Sequence, residues 1–179
     1  MDNLRVLIVG GGVIASHKLE KLVDFTTNIT VIATIISSEA LATIQEHKLE
    51  YKERSYKSGD IEGYDMVVIA TERIELHQSI YEESRSSRIL VNSVDNIAYC
   101  DFIFPSYIKH GDLNISFSTS GASPAFSKQI RKYFETVIPS DIGDFLQKMK
   151  KLRTQLPKGE ARMQKFEKMV EAYIEKNFK

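Results

Sequence analysis

The sequence predicts an α/β protein: a parallel sheet over its first hundred residues, then a hairpin with one helix, then a helical tail. Three observations predict it. Short β-branched runs alternate with helical patterns up to about Asp95, a glycine triplet interrupts the first of those runs, and the rhythm changes after Asp95. Strand and helix in alternation imply parallel strands with helices covering their faces. The expected regions are 1–101, 102–138 and 139–179.

Leu4–Val9 is nearly continuous in apolar character, as a strand buried on both faces requires. The glycines end it, and Val13–Asp24 reads as a helix with Ile14, Leu19, Leu22 and Val23 turned inward. Ile29–Ala33 is a second buried strand, and Ser37 or Ser38 is placed to cap a helix running to about His47. Leu49–Lys52 is a weaker strand and Met66–Ala70 a strong one; a helix over Leu76–Ser86 and a strand at Ile89–Val91 follow. Phe102–Lys109 and Leu113–Ser118 are strand-like runs joined by the turn His110-Gly111-Asp112. Ser123-Pro124 has a capping residue followed by proline at the first helical position, and that helix runs to about Val137. Two apolar stripes close the chain, one from Ile142 to Leu156 and one from Met163 to Ile174, separated by Pro157 and Gly159.

Composition narrows the function. Lys+Arg and Asp+Glu both number 24, so a neutral chain gives no electrostatic case for nucleic acid or an anionic membrane. The single cysteine, Cys100, excludes an intrachain disulfide and a cysteine-rich zinc site. His17, His47, His77 and His110 lack the i, i+4 spacing of a helical metal pair, so no metal ligands are expected. No basic segment precedes a long hydrophobic one, which leaves the cytoplasm as the expected compartment.

Three stretches carry chemistry. Gly10-Gly11-Gly12-Val13-Ile14-Ala15 fits G-x-G-x-x-A between a strand and a helix, the phosphate-binding turn of a Rossmann-type sheet. Gly10 permits the tight turn, and Gly12 lets the backbone approach a pyrophosphate at the helix N-terminus. Gly10, Gly12, Val13, Ile14, Thr34, Ile35, Ala70 and Thr71 are thus the expected dinucleotide contacts. The second strand ends in Ile32-Ala33-Thr34-Ile35, with neither a carboxylate for the ribose hydroxyls nor an arginine for a 2′-phosphate. On this count the expected cofactor is NAD.

The second stretch is Val91–Asp95: a carboxylate just past a strand of such a sheet faces the cofactor crevice and can take a proton. On position alone, Asp95 reads equally well as a cap or a loop-ordering aspartate. The third is Phe117–Pro124, a hydroxyl-rich loop entering a helix, which suits an anion and suits a well-capped connection as readily.

Taken in order, GGGVIASHK, VVIATE, NSVDNIAYCDFIFPS and ISFSTSGASPAFSKQIR resemble the precorrin-2 dehydrogenase family, the dehydrogenase part of siroheme synthase. The resemblance spans essentially the whole chain, and Cys100–Ser106 and Thr119–Pro124 are its specific parts. It implies NAD-dependent oxidation of precorrin-2 to sirohydrochlorin, with ferrous iron insertion by some members. It further implies Asp95 as catalytic base and a homodimer built by the hairpin and the helix after it. The tetrapyrrole would meet Ser118, Thr119, Ser120, Gly121 and Ser123, with His110 or Lys128 as charge partners for its carboxylates. A dinucleotide-sensing module without chemistry is the competing reading, but such modules usually carry the acidic residue missing after the second strand, and they give no reason for the hydroxyl-rich loop.

Overall fold

A computed structural model describes residues 3–178, so the outermost ends of the expected first and last regions lie outside the described residues. The chain divides into two compact units, Met1–Ile103 and Phe104–Lys179.

In the first unit, β1 (Val6–Val9), β2 (Ile29–Ala33), β3 (Glu50–Glu53), β4 (Met66–Ile69) and β5 (Leu90–Ser93) form one parallel sheet in the order β3-β2-β1-β4-β5. Helices α1 (Val13–Leu22), α2 (Ser38–His47) and α3 (Ile74–Ser84) make the crossovers. The apolar runs take the middle of the sheet because every residue of β1 and β2 is buried, which only a strand covered on both faces demands. Leu7, Val9, Ile32, Val67, Ile69 and Val91 pack with Ile80 of α3 into one cluster; Val6 and Ile8, equally buried, point to the other face. The polar Glu50-Tyr51-Lys52-Glu53 tolerates exposure and becomes the edge. Ser37 caps α2 by accepting from the Ala40 N–H at 3.2 Å.

Several boundaries move from their expected places. Ile14, expected inward, is 46% exposed, because Ala15 and Ser16 take the buried face of the first turn of α1. Strand β5 continues through Asn92 and Ser93, which are polar yet buried. Backbone and sulfur meet part of their polar groups: Asn92 Nδ2 donates to Phe102 O at 2.8 Å and the Cys100 thiol donates to Ser93 O at 3.0 Å, while the buried Asn92 Oδ1 has no hydrogen-bond partner among the described residues. A short 3-10 turn, Ile97–Tyr99, follows.

The second unit holds the hairpin β6 (Ser106–His110) and β7 (Leu113–Phe117), then α4 (Pro124–Val137), α5 (Ile142–Gln155) and α6 (Glu160–Asn177). The hairpin begins at Ser106, four residues later than the apolar run suggested, just after Pro105, which has no N–H for a ladder. Gly111 sits at φ +60 in the turn, and a Cβ on Gly143 of α5 would meet His110 O at 3.3 Å, so helix and turn touch backbone to backbone. Phe145 stacks on Tyr173 at 4.1 Å, joining α5 to α6, and Tyr173 Oη donates to Asp141 Oδ1 at 2.6 Å.

Candidate active site

The glycine loop lies where β1 ends, at the point where the strand order reverses. Its three glycines answer to three different constraints. Gly10 has φ +124, and a Cβ there would stand 2.2 Å from Ala70 O. At Gly11 a Cβ would stand 2.4 Å from Ile35 O, and the Gly11 carbonyl accepts from the Ser37 N–H at 2.7 Å. Gly12, in ordinary extended backbone as the N-cap of α1, would place a Cβ with nothing within 4 Å. The fold therefore requires the first two and not the third. Gly12 leaves open the space in front of a helix N-terminus that has no side-chain cap. The amides of that first turn attract an anion brought close to them.

A cleft of about 770 Å³ opens in front of this turn. Gly10, Gly12, Val13, Ile14, Thr34, Ile35, Ala70 and Thr71 all line it, so the fold brings together the residues expected to hold a dinucleotide. Arg54, Ser55, Tyr56, Glu72 and Arg73 line it too, and sequence reasoning missed them. Arg54 comes to the cleft that Thr34 also lines only because β2 pairs with β3 in the register Ala33↔Glu53, and no local pattern announces that.

Asp95 stands two residues past β5 in left-handed backbone, φ +61, and is exposed. Among the described residues its carboxylate accepts no hydrogen bond, which sets it apart from a loop-ordering aspartate. Asp101 plays that part instead: it takes two bonds from Arg85, at 2.8 and 2.6 Å, and one from the Val91 N–H at 2.8 Å. The Arg85 guanidinium holds the Asp101 carboxyl below the usual carboxylate range, against a smaller upward push from burial. Burial pushes Lys18 on α1 down, and the nearby positive charge of Lys21 adds to this, while the charge on Asp95 draws it partly back up.

Beneath the strand ends lies His77, 3% exposed. Its Nε2 meets Thr71 O at 2.9 Å, and a carbonyl only accepts, so Nε2 carries the proton. Nδ1 then accepts from Ser93 Oγ at 2.6 Å. The imidazole thus ties the cleft residue Thr71 to the end of β5, two residues before Asp95.

In the second unit, the loop before α4 is ordered by its own hydroxyls. Ser118 Oγ accepts from the Ser120 N–H at 3.2 Å, Thr119 Oγ1 from the Ser123 N–H at 2.9 Å, and Ser123 Oγ from the Phe126 N–H at 3.2 Å. Each of the three is used as an acceptor in these bonds, which leaves its own proton for another acceptor. Ser120 at φ +51 and Gly121 at φ +86 make the turn. His110 closes β6 and Lys128 is exposed on α4. No group of three or more His, Cys, Asp or Glu among the described residues is placed to hold a metal ion.

A 3-2-1-4-5 parallel sheet with a glycine turn and an uncapped helix N-terminus at its switch point defines a dinucleotide-binding protein of the Rossmann type. The chain belongs to the family described as "Putative NAD(P)-binding", whose model matches residues 1–106. It is similar to the siroheme synthase of Methylococcus capsulatus, 32% identical over 175 residues, covering 96% of this chain and 37% of that protein. It is also similar to the siroheme synthase of Mannheimia succiniciproducens, 29% identical over 143 residues, covering 80% of this chain and 30% of that protein. The chain spans about a third of the length of these curated relatives. Among solved structures, SirC, a precorrin-2 dehydrogenase, superposes with a TM-score of 0.75 at 24% identity, covering 95% of this chain and 84% of that one, a likeness of fold.

Proposed function

We propose that this chain oxidises precorrin-2 to sirohydrochlorin with NAD+, in the route to siroheme. The relatives named above are siroheme synthases, and a protein sharing the fold is a precorrin-2 dehydrogenase. The observation that carries the reading is Asp95, a carboxylate with no hydrogen-bond partner among the described residues, just past β5 of the same parallel sheet that carries the glycine turn at the end of β1.

NAD+, when bound, supplies the hydride acceptor. Gly12 and the first amides of α1 would receive the pyrophosphate, and Thr34, Ile35, Ala70 and Thr71, which line the same cleft, would hold the rest of the dinucleotide. Loss of a hydride and a proton converts substrate to product, and Asp95 takes the proton. Precorrin-2 is a polycarboxylate. Ser118, Thr119, Ser120 and Ser123 donate hydroxyl protons to its carboxylates, joined by the Gly121 amide, with His110 or Lys128 adding charge. The hairpin and α4 (102–138) form a homodimer with a second copy, and the terminal helices (139–179) enclose the tetrapyrrole. No helix among the described residues is long and apolar enough to cross a membrane, which fits a cytoplasmic enzyme.

One spectroscopic series tests the reading. Freshly made precorrin-2 and NAD+ should yield NADH and the sirohydrochlorin chromophore together. Asp95→Ala should keep dinucleotide binding and lose at least about a hundredfold in turnover. No product with either NAD+ or NADP+ would overturn the function, and near-normal turnover by Asp95→Ala would remove its catalytic role. Ferrous iron, added afterwards as a second substrate, decides whether the chain also inserts the metal.

A further inference from the structure

The end of β2 carries no carboxylate to read the adenosine ribose, yet something must stand at that end of the cleft. Pairing of β2 with β3 brings Arg54 to the cleft that Thr34 also lines. The guanidinium is fixed end-on by Asp60: Nη1 donates to Oδ2 at 2.6 Å and Nη2 to Oδ1 at 2.7 Å, while Nη1 also donates to Ser55 O at 3.0 Å. These three bonds use both protons of Nη1 and one of Nη2. Nε–H and the second Nη2–H, a parallel fork, have no acceptor among the described residues.

The segment that carries the pair is itself stapled. Asp60 accepts from the Lys57 N–H at 2.7 Å, and Glu83 of α3 accepts from the Gly59 N–H at 2.6 Å and from Tyr56 Oη at 2.8 Å. Arg54 is therefore presented to the cleft in a fixed pose, with its charge offset by a carboxylate. A neutral dyad with a spare donor fork suits two ribose hydroxyls. A 2′-phosphate gains little from a cation already neutralised, and it meets the charge of Asp60 nearby.

We propose that the Arg54–Asp60 pair selects the dinucleotide: the free fork of Arg54 reads the unphosphorylated adenosine ribose, and Asp60 disfavours a 2′-phosphate. This rests on the dinucleotide occupying the cleft, and the experiment separates the two ideas.

NADH and NADPH are titrated into the full chain, following nicotinamide fluorescence, for the wild type, Asp60→Asn, Arg54→Gln and the double variant. The wild type should bind NADH about tenfold or more tighter than NADPH, and Asp60→Asn should narrow that ratio by about tenfold, mainly through tighter NADPH binding. Arg54→Gln leaves Asp60 unneutralised and should weaken both ligands, NADPH the more. In the Arg54→Gln background Asp60→Asn should still favour NADPH, since it removes the carboxylate that the lost arginine left unneutralised. An unchanged ratio in Asp60→Asn, or a wild type that prefers NADPH, overturns the inference while leaving the cleft as the dinucleotide site. Folded protein that binds neither ligand overturns both. If Asp60→Asn does not fold, Arg54→Gln decides alone, and a ratio equal to that of the wild type sinks the inference.

Discussion

At the scale of single residues, the glycine triplet separates what folding needs from what a ligand needs. Gly10 combines positive φ with a clash against Ala70 O, and Gly11 is pressed against Ile35 O, so a side chain at either works against the folded state itself. Gly12 has neither constraint. Gly10→Ala should cost on the order of 2 kcal/mol or more in urea unfolding, from left-handed strain plus displacement of a strand-end carbonyl. Gly12→Ala should unfold within about 0.5 kcal/mol of the wild type while weakening NADH binding at least tenfold or so, because its methyl group occupies the approach of the pyrophosphate. Equal destabilisation by the two, or undisturbed binding in Gly12→Ala, would contradict the division. The G-x-G-x-x-A spacing made Gly10 and Gly12 legible from the sequence. The role of Gly11 was not, because its neighbour is the backbone after β2, some twenty-five residues away.

At the scale of elements, the loops at the strand ends are held by two arginine–aspartate pairs, Arg54–Asp60 and Arg85–Asp101. Both aspartates have their pKa lowered by the hydrogen-bonded guanidinium first, with burial opposing. A folded pKa below the unfolded value, about 4, means the stabilisation is complete above that pH and is lost as pH falls through the folded pKa. The urea midpoint should therefore fall on acidification below about pH 4. Asp101→Asn should be less stable at pH 7 by about 1–2 kcal/mol, allowing for the partial exposure of Arg85, and should show a flatter acid limb. An acid limb as steep as that of the wild type would remove Asp101 from the account. These pairs were not visible in the sequence. Arg85 and Asp101 belong to a helix end and to a loop past β5, and only the packing of α3 against that strand joins them. The elements themselves were legible, since continuous apolar runs mark central strands and Ser123-Pro124 marks a helix start. The extension of β5 through Asn92 and Ser93 was not. Buried polar residues look like a loop until their partners, Phe102 O, Cys100 and His77, are in place.

At the scale of the whole molecule, α4 presents an apolar stripe that its own unit leaves open. Phe126, Tyr133 and Val137 are 60, 61 and 41% exposed, while Phe134, 36% exposed, stacks on Phe117 of β7. A second copy of the chain is the occupant the proposed homodimer supplies. Aromatic residues at the centre of such an interface carry much of its energy. Wild-type protein should sediment as a dimer at micromolar concentration, and Tyr133→Glu should weaken the dimer by about a hundredfold or more while keeping its unfolding midpoint at high dilution. A wild type that sediments as a monomer would defeat the proposal.

By itself the sequence determined the parallel sheet, its order of strand and helix, the glycine turn and the position of Asp95, because periodicity, glycine spacing and capping are properties of residues near one another along the chain. The tertiary structure alone decided that Arg54 lines the same cleft as Thr34, that His77 links Thr71 to Ser93, and that Asp101 orders the loop after β5. Each of these depends on strand register or on helix-to-strand packing. Residues far apart in the chain meet there, and the free energy of the meeting belongs to no local segment.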